Sequence, residues 1–90
     1  MYSKTVTVQN PSGLHARPAS VFVGETKNYK SKITIKKTSS DDEPLNAKSI
    51  ILLLSMAITA GTEVEITAQG EDEVQAVDAL VALIESGLGE

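Results

Sequence analysis

The chain has 90 residues, 41% of them hydrophobic, with one histidine, no cysteine and a net charge of −4. So short a chain can build one core, which predicts a single domain over residues 1–90, and the missing thiols exclude disulfides, thiolate chemistry and a cysteine-ligated zinc site. Three aromatic residues and an acidic balance argue against a nucleic-acid surface, including that of a small RNA-binding α+β domain.

Tyr2 to Gln9 alternates, with Val6 and Val8 on one side and Thr5 and Thr7 on the other, which predicts a strand. Asn10-Pro11-Ser12-Gly13 is dense in turn formers and ends it. A helix is predicted from about Ala16 to Asn28, with Ala19, Phe22, Val23 and Thr26 as its buried stripe. Pro18 falls in the first turn, where a missing N–H removes no internal hydrogen bond. Ser31 to Lys37 alternates again, with Ile33 and Ile35 inward. After the polar stretch Thr38 to Asp42, a short edge strand is expected around Glu43 to Ala47, weakened by Pro44.

Ser49 precedes the apolar run Ile50 to Ala57, long enough for two helical turns and far short of a membrane span. Leu53 and Ala57 are expected to face the core together, which leaves Ile50, Ile51 and Leu54 partly outside. Thr62 to Ala68 reads as a strand with Val64, Ile66 and Ala68 inward. The last helix is predicted from near Asp72 to a stop at Gly87, burying Val77, Leu80, Val81 and Ile84. No segment reads as a signal peptide or membrane span, so a cytoplasmic chain is expected. The element order βαββαβα, with two long helices and short connections, predicts an α+β open-faced sandwich.

The chemistry concentrates in Gly13-Leu14-His15-Ala16-Arg17-Pro18-Ala19-Ser20, which puts the single histidine where a helix starts. Unpaired N–H groups and the positive end of the helix dipole suit an anion there, and Arg17 adds a fixed charge that matches phosphate oxygens. Imidazole, with an ordinary pKa of about 6.5, is free to act as a nucleophile at neutral pH. Ser49, by its own position, is a helix N-cap. The charge is uneven: residues 1–38 carry seven basic side chains against Glu25, and residues 39–90 carry eleven acids against Lys48. The basic part suits an acidic protein partner, although a solvated surface accounts for most of these lysines equally well.

On the octapeptide around His15 and on Asn46-Ala47-Lys48-Ser49-Ile50, the chain resembles the histidine-containing phosphocarrier family, HPr, of the bacterial sugar phosphotransferase system. The resemblance implies four antiparallel strands covered on one face by helices. It implies that His15 accepts a phosphoryl group on Nδ1, with Arg17 and the N–H groups of Ala16 and Arg17 stabilising it. The phosphoryl group comes from phosphoenolpyruvate by way of enzyme I and passes to sugar-specific IIA proteins or domains. Such a protein is a covalent intermediate rather than an enzyme, and neither a cofactor nor a metal is expected. Ser49 matches a regulatory phosphoserine, which implies a serine kinase/phosphorylase and a transcriptional regulator as further partners. Docking is expected over Ser20, Lys27, Lys48, Ile50, Ile51 and Leu54. The alternative is an HPr-like paralogue with a regulatory or nitrogen-related role. The stretch Thr38 to Glu43 looks longer than is usual for the family, and Gly24 and Leu52 stand where some relatives carry basic residues.

Overall fold

Period-two segments become strands and period-3.6 segments become helices in the computed structural model, which describes residues 1–90. In chain order these are β1 (Tyr2–Thr7), α1 (Ala16–Thr26), β2 (Lys32–Lys37), β3 (Leu45–Asn46), α2 (Ile50–Ser55), β4 (Glu63–Gln69) and α3 (Glu73–Glu85). The strands form one sheet in the order β1-β4-β2-β3, every neighbouring pair antiparallel. Registers such as Val6↔Val64 and Ile35↔Ile66 bring like-facing apolar residues side by side. Val6, Ile33, Ile35, Val64, Ile66 and Ala68 cover one face of the sheet and join Phe22, Leu53, Val77, Leu80 and Ile84 from the helices in one core. This is the expected open-faced sandwich.

Several elements are shorter than the periodicity predicted. The first strand ends at Thr7, but Val8 stays fully buried, and its N–H still donates to Thr62 O at 2.9 Å. The first helix stops at Thr26, and the edge strand shrinks to Leu45–Asn46 directly after Pro44. The second helix departs most from expectation. It ends at Ser55, and Ala57 takes a left-handed φ of 53° and is exposed, so it does not face the core beside Leu53. Ile58, fully buried, occupies the core instead, because the left-handed residue reverses the chain one turn early.

The third helix buries Ala76, Val77, Leu80 and Ile84, with Val81 only half-buried. It closes with a Schellman turn: Gly87 (φ 91°) donates to Ile84 O at 3.1 Å, and Leu88 donates to Leu83 O at 3.2 Å. Leu88 then inserts into the core. At the start of α3, the Asp72 carboxylate accepts from the Ser31 hydroxyl and from the N–H groups of Lys30 (2.9 Å) and Ser31 (3.0 Å). Those bonds, the Ser31 hydroxyl foremost, hold its carboxyl below the usual range.

Candidate functional site

Two contacts fix the approach to His15. Leu14 is fully buried and donates its N–H to Ile58 O at 3.0 Å. Gly13 (φ 61°) lies against the same segment, where a Cβ would meet Thr59 Cα at 2.8 Å. A side chain at position 13 is therefore barred by both backbone conformation and close approach. His15 follows as the N-cap of α1, in extended geometry (φ −127°, ψ 160°), and its ring makes no capping hydrogen bond. The residue is half-exposed, and neither His15 nor Arg17 lines a cavity. The imidazole is thus partly open to solvent at the start of α1 and not enclosed in a cavity.

Arg17 is exposed and takes part in no ion pair. The N–H groups of Ala16 and Arg17 donate to no loop or cap acceptor, as expected for a helix start. Ala16 has a left-handed φ of 53°, a conformation that costs a residue with a Cβ about 1–2 kcal/mol. Burial of Leu14 before it and of Pro18 and Ala19 after it holds the peptide there. Nothing in the sequence marked this strain, since alanine is the commonest of helix formers.

Ser49 caps α2, its hydroxyl accepting from Leu52 N–H at 3.2 Å, as its position implied. Beyond it Ile51 is 76% exposed and Leu54 41%, and Ile50 is half-buried against the core. Leu52, at 37%, is exposed as well, beyond the expected outward set of Ile50, Ile51 and Leu54. Ser20 on α1 and Lys27, its C-cap, are exposed. Lys48 is half-buried, and its amine donates to Tyr29 O at 2.7 Å, so its charge is already engaged within the fold. No three His, Cys, Asp or Glu side chains converge where an ion could be held.

Three residues that the sequence left as turn or tail belong to this region. Asn10 is buried, and its Nδ2 donates both to Gly13 O and to Glu90 Oε1, each at 2.9 Å. Glu90 also accepts from Ser12 N–H at 3.0 Å and from the Ser12 hydroxyl at 2.7 Å. Asn10 Nδ2 first, then the two Ser12 donors, hold the Glu90 carboxyl below its usual range. A contact across 80 positions leaves no periodic trace in a sequence.

A family model described as the PTS HPr component phosphorylation site matches residues 2–86. The phosphocarrier protein HPr of Haemophilus influenzae is 49% identical over 84 residues, covering 93% of this chain and 95% of that protein. The HPr-like protein Crh of Bacillus subtilis is 42% identical over 85 residues, 94% of this chain and 96% of Crh. The multiphosphoryl transfer protein of Haemophilus influenzae is 40% identical over 86 residues, 96% of this chain, but the chain spans only 17% of that protein's length. Among solved structures, HPr of Thermoanaerobacter tengcongensis superposes with a TM-score of 0.92 at 41% identity, covering 100% of this chain and 98% of that one.

Proposed function

The chain belongs to the HPr family of phosphocarriers of the phosphotransferase system, and from that premise we propose that His15 is its phosphoryl acceptor. The observation that carries this reading is a partly exposed imidazole at a helix start, beside unpaired N–H groups and an uncommitted guanidinium. With a ring proton on Nε2, the Nδ1 lone pair is the one that reacts. That pair forms a bond to phosphorus while the bond from phosphorus to the donor breaks, its electrons staying with the donor. The Ala16 and Arg17 N–H groups and the Arg17 side chain take the phosphoryl oxygens. Reversal of the same step hands the group on, so positioning and charge stabilisation supply what the chemistry needs. The protein is an intermediate with no turnover of its own.

On this reading enzyme I is the donor and sugar-specific IIA proteins or domains are the acceptors, in the cytoplasm. Exposed Ile51, Leu52 and Leu54 offer them an apolar contact, and exposed Ser20 on α1 and Lys27 at its C-cap add polar contacts. Ser49 is the regulatory site. Phosphate there adds up to about two negative charges beside that apolar contact, which repels an acidic partner while the helix start accommodates it.

The test is incubation with phosphoenolpyruvate and enzyme I, followed by intact mass before and after acid. One acid-labile phosphoryl group per chain is expected on the native protein. The His15→Ala variant is expected to keep its circular dichroism and take no label; a labelled variant would overturn the assignment. Acid-stable label from ATP and cell extract, absent in Ser49→Ala, is the expected sign of the second site.

A further inference from the structure

We propose that Glu90 is a positioning residue for His15: its carboxylate latches the Asn10–Gly13 turn and so holds the phosphoryl acceptor in register. The proposal rests on His15 being that acceptor.

The route of the chain makes the contact a built one. Gly87, Leu88 and Gly89 all have left-handed φ values, of 91°, 55° and 86°, and wind the backbone back beyond α3. Leu88 is 1% exposed and pins this coil in the core, and Glu90 N–H closes it by donating to Gly87 O at 3.0 Å. The Glu90 side chain is thereby delivered to Asn10 and Ser12, where three donors meet its two oxygens. Bonds to an ionised acceptor are the strong kind.

Asn10 is committed to this arrangement. An asparagine in such a turn often accepts the N–H two residues on. Here the Ser12 N–H goes to Glu90 instead, and Asn10 Oδ1 is left buried without a partner. Both Nδ2 hydrogens are spent, one on Gly13 O and one on Glu90. The turn closes itself between Gly13 N–H and Asn10 O at 3.0 Å and between Asn10 Nδ2 and Gly13 O, while its remaining donors, the second Nδ2 hydrogen and those of Ser12, are met by the carboxylate.

Only Leu14 separates this turn from His15, and Ala16 beyond it is left-handed. Such a residue persists where its surroundings over-determine it. The upstream restraints are the two Asn10–Gly13 bonds within the turn, the Leu14–Ile58 bond and the three bonds to Glu90, the last being the ones a single side-chain substitution removes. Without the carboxylate the turn relaxes, and the Ala16 and Arg17 N–H groups lose their fixed relation to the imidazole.

The experiment uses the full chain as wild type, Glu90→Ala and Glu90→Gln, with phosphoramidate as a donor that needs no partner protein. In that reaction the reagent's P–N bond breaks, ammonia leaves with the reagent's protons, and phosphorus bonds to the imidazole nitrogen. Rates are read by mass spectrometry, and solvent exchange of the Ser12 amide and ¹⁵N relaxation of His15 and Ala16 by NMR. Glu90→Ala is expected to slow phosphorylation about tenfold while remaining folded, with faster Ser12 exchange. Glu90→Gln keeps an acceptor oxygen for Asn10 and Ser12 N–H and is expected to recover most of the rate. Unchanged Ser12 exchange in Glu90→Ala overturns the latch. A wild-type rate in that variant despite a freed Ser12 overturns the positioning role, as does a loss that merely tracks the unfolded fraction. If the wild type takes no phosphoryl group on His15, the carrier reading fails instead. The latch then stands or falls on Ser12 exchange and on His15 and Ala16 mobility.

Discussion

Gly13 shows how a residue with no reactive group governs one that has it. Its left-handed backbone and its approach to the Ile58–Thr59 segment let Leu14 dock and so set the height of His15 above the surface. Gly13→Ala is expected to destabilise the fold by about 2–3 kcal/mol, read as a lower urea midpoint at unchanged slope. The atoms in the way are backbone and cannot swing aside. The proposed roles of His15, Arg17 and Ser49 start from residue types whose chemistry the sequence displays directly. The contact of Asn10 and Ser12 with Glu90 has no such display, because it exists only once the chain beyond α3 has brought position 90 back to position 10. Ala16 was illegible for another reason: its side chain says nothing of the left-handed backbone forced on it from both sides.

At the scale of elements, α1, α3, β2 and β4 were legible from periodicity because each buries one face of a run of at least six residues. The short ones were less so. The two-residue β3 is held by its ladder partners Thr34 and Ile35 rather than by any pattern of its own. Helix α2 has six residues, too few to persist without tertiary contacts, so its single side-chain cap carries unusual weight. Ser49→Ala is expected to cost about 1 kcal/mol in chemical denaturation, and Ser49→Asp, which keeps an acceptor for Leu52 N–H, a good deal less. Equal losses in both would show that the hydroxyl is not acting as a cap. The premature end of α2 at the left-handed Ala57 has the same origin as the missed core residue Ile58. An unbroken apolar run gives helix type without giving the turn at which it stops.

Across the molecule, carboxylates tie distant segments together. Asp72 links the start of α3 to the Lys30–Ser31 loop, Asp78 pairs with Lys4 at 2.9 Å, and Glu90 reaches Asn10 and Ser12. Each is held below its usual range by the donors it accepts from. A carboxyl depressed in the folded state stabilises fully above its unfolded pKa, and that contribution is lost as pH falls through the folded value. Stability is therefore expected to hold from pH 7 to about 4.5 and to fall steadily below about pH 4. In Asp72→Asn the deficit relative to wild type should shrink over that lower range; a constant deficit down to pH 2 would contradict the linkage. Sheet order is the feature at this scale that alternation could not supply, since the period of a strand names its faces and not its neighbours.

That order bears on synthesis. Strand β1 touches only β4 in the sheet, and Tyr2 lies opposite Ala68. A ribosome adding about 5–20 residues per second keeps the first strand waiting for about 3–12 seconds before its mate emerges. In that interval β1 has unsatisfied amides and carbonyls along both flanks, the condition in which strands join the wrong chain. Its make-up suits the delay: Ser3, Lys4 and Thr5 are polar, and Val6 is its only aliphatic side chain. Replacing Ser3 and Thr5, which point away from the Val6 face, with larger apolar residues would leave the finished sheet intact but expose nascent chains to one another.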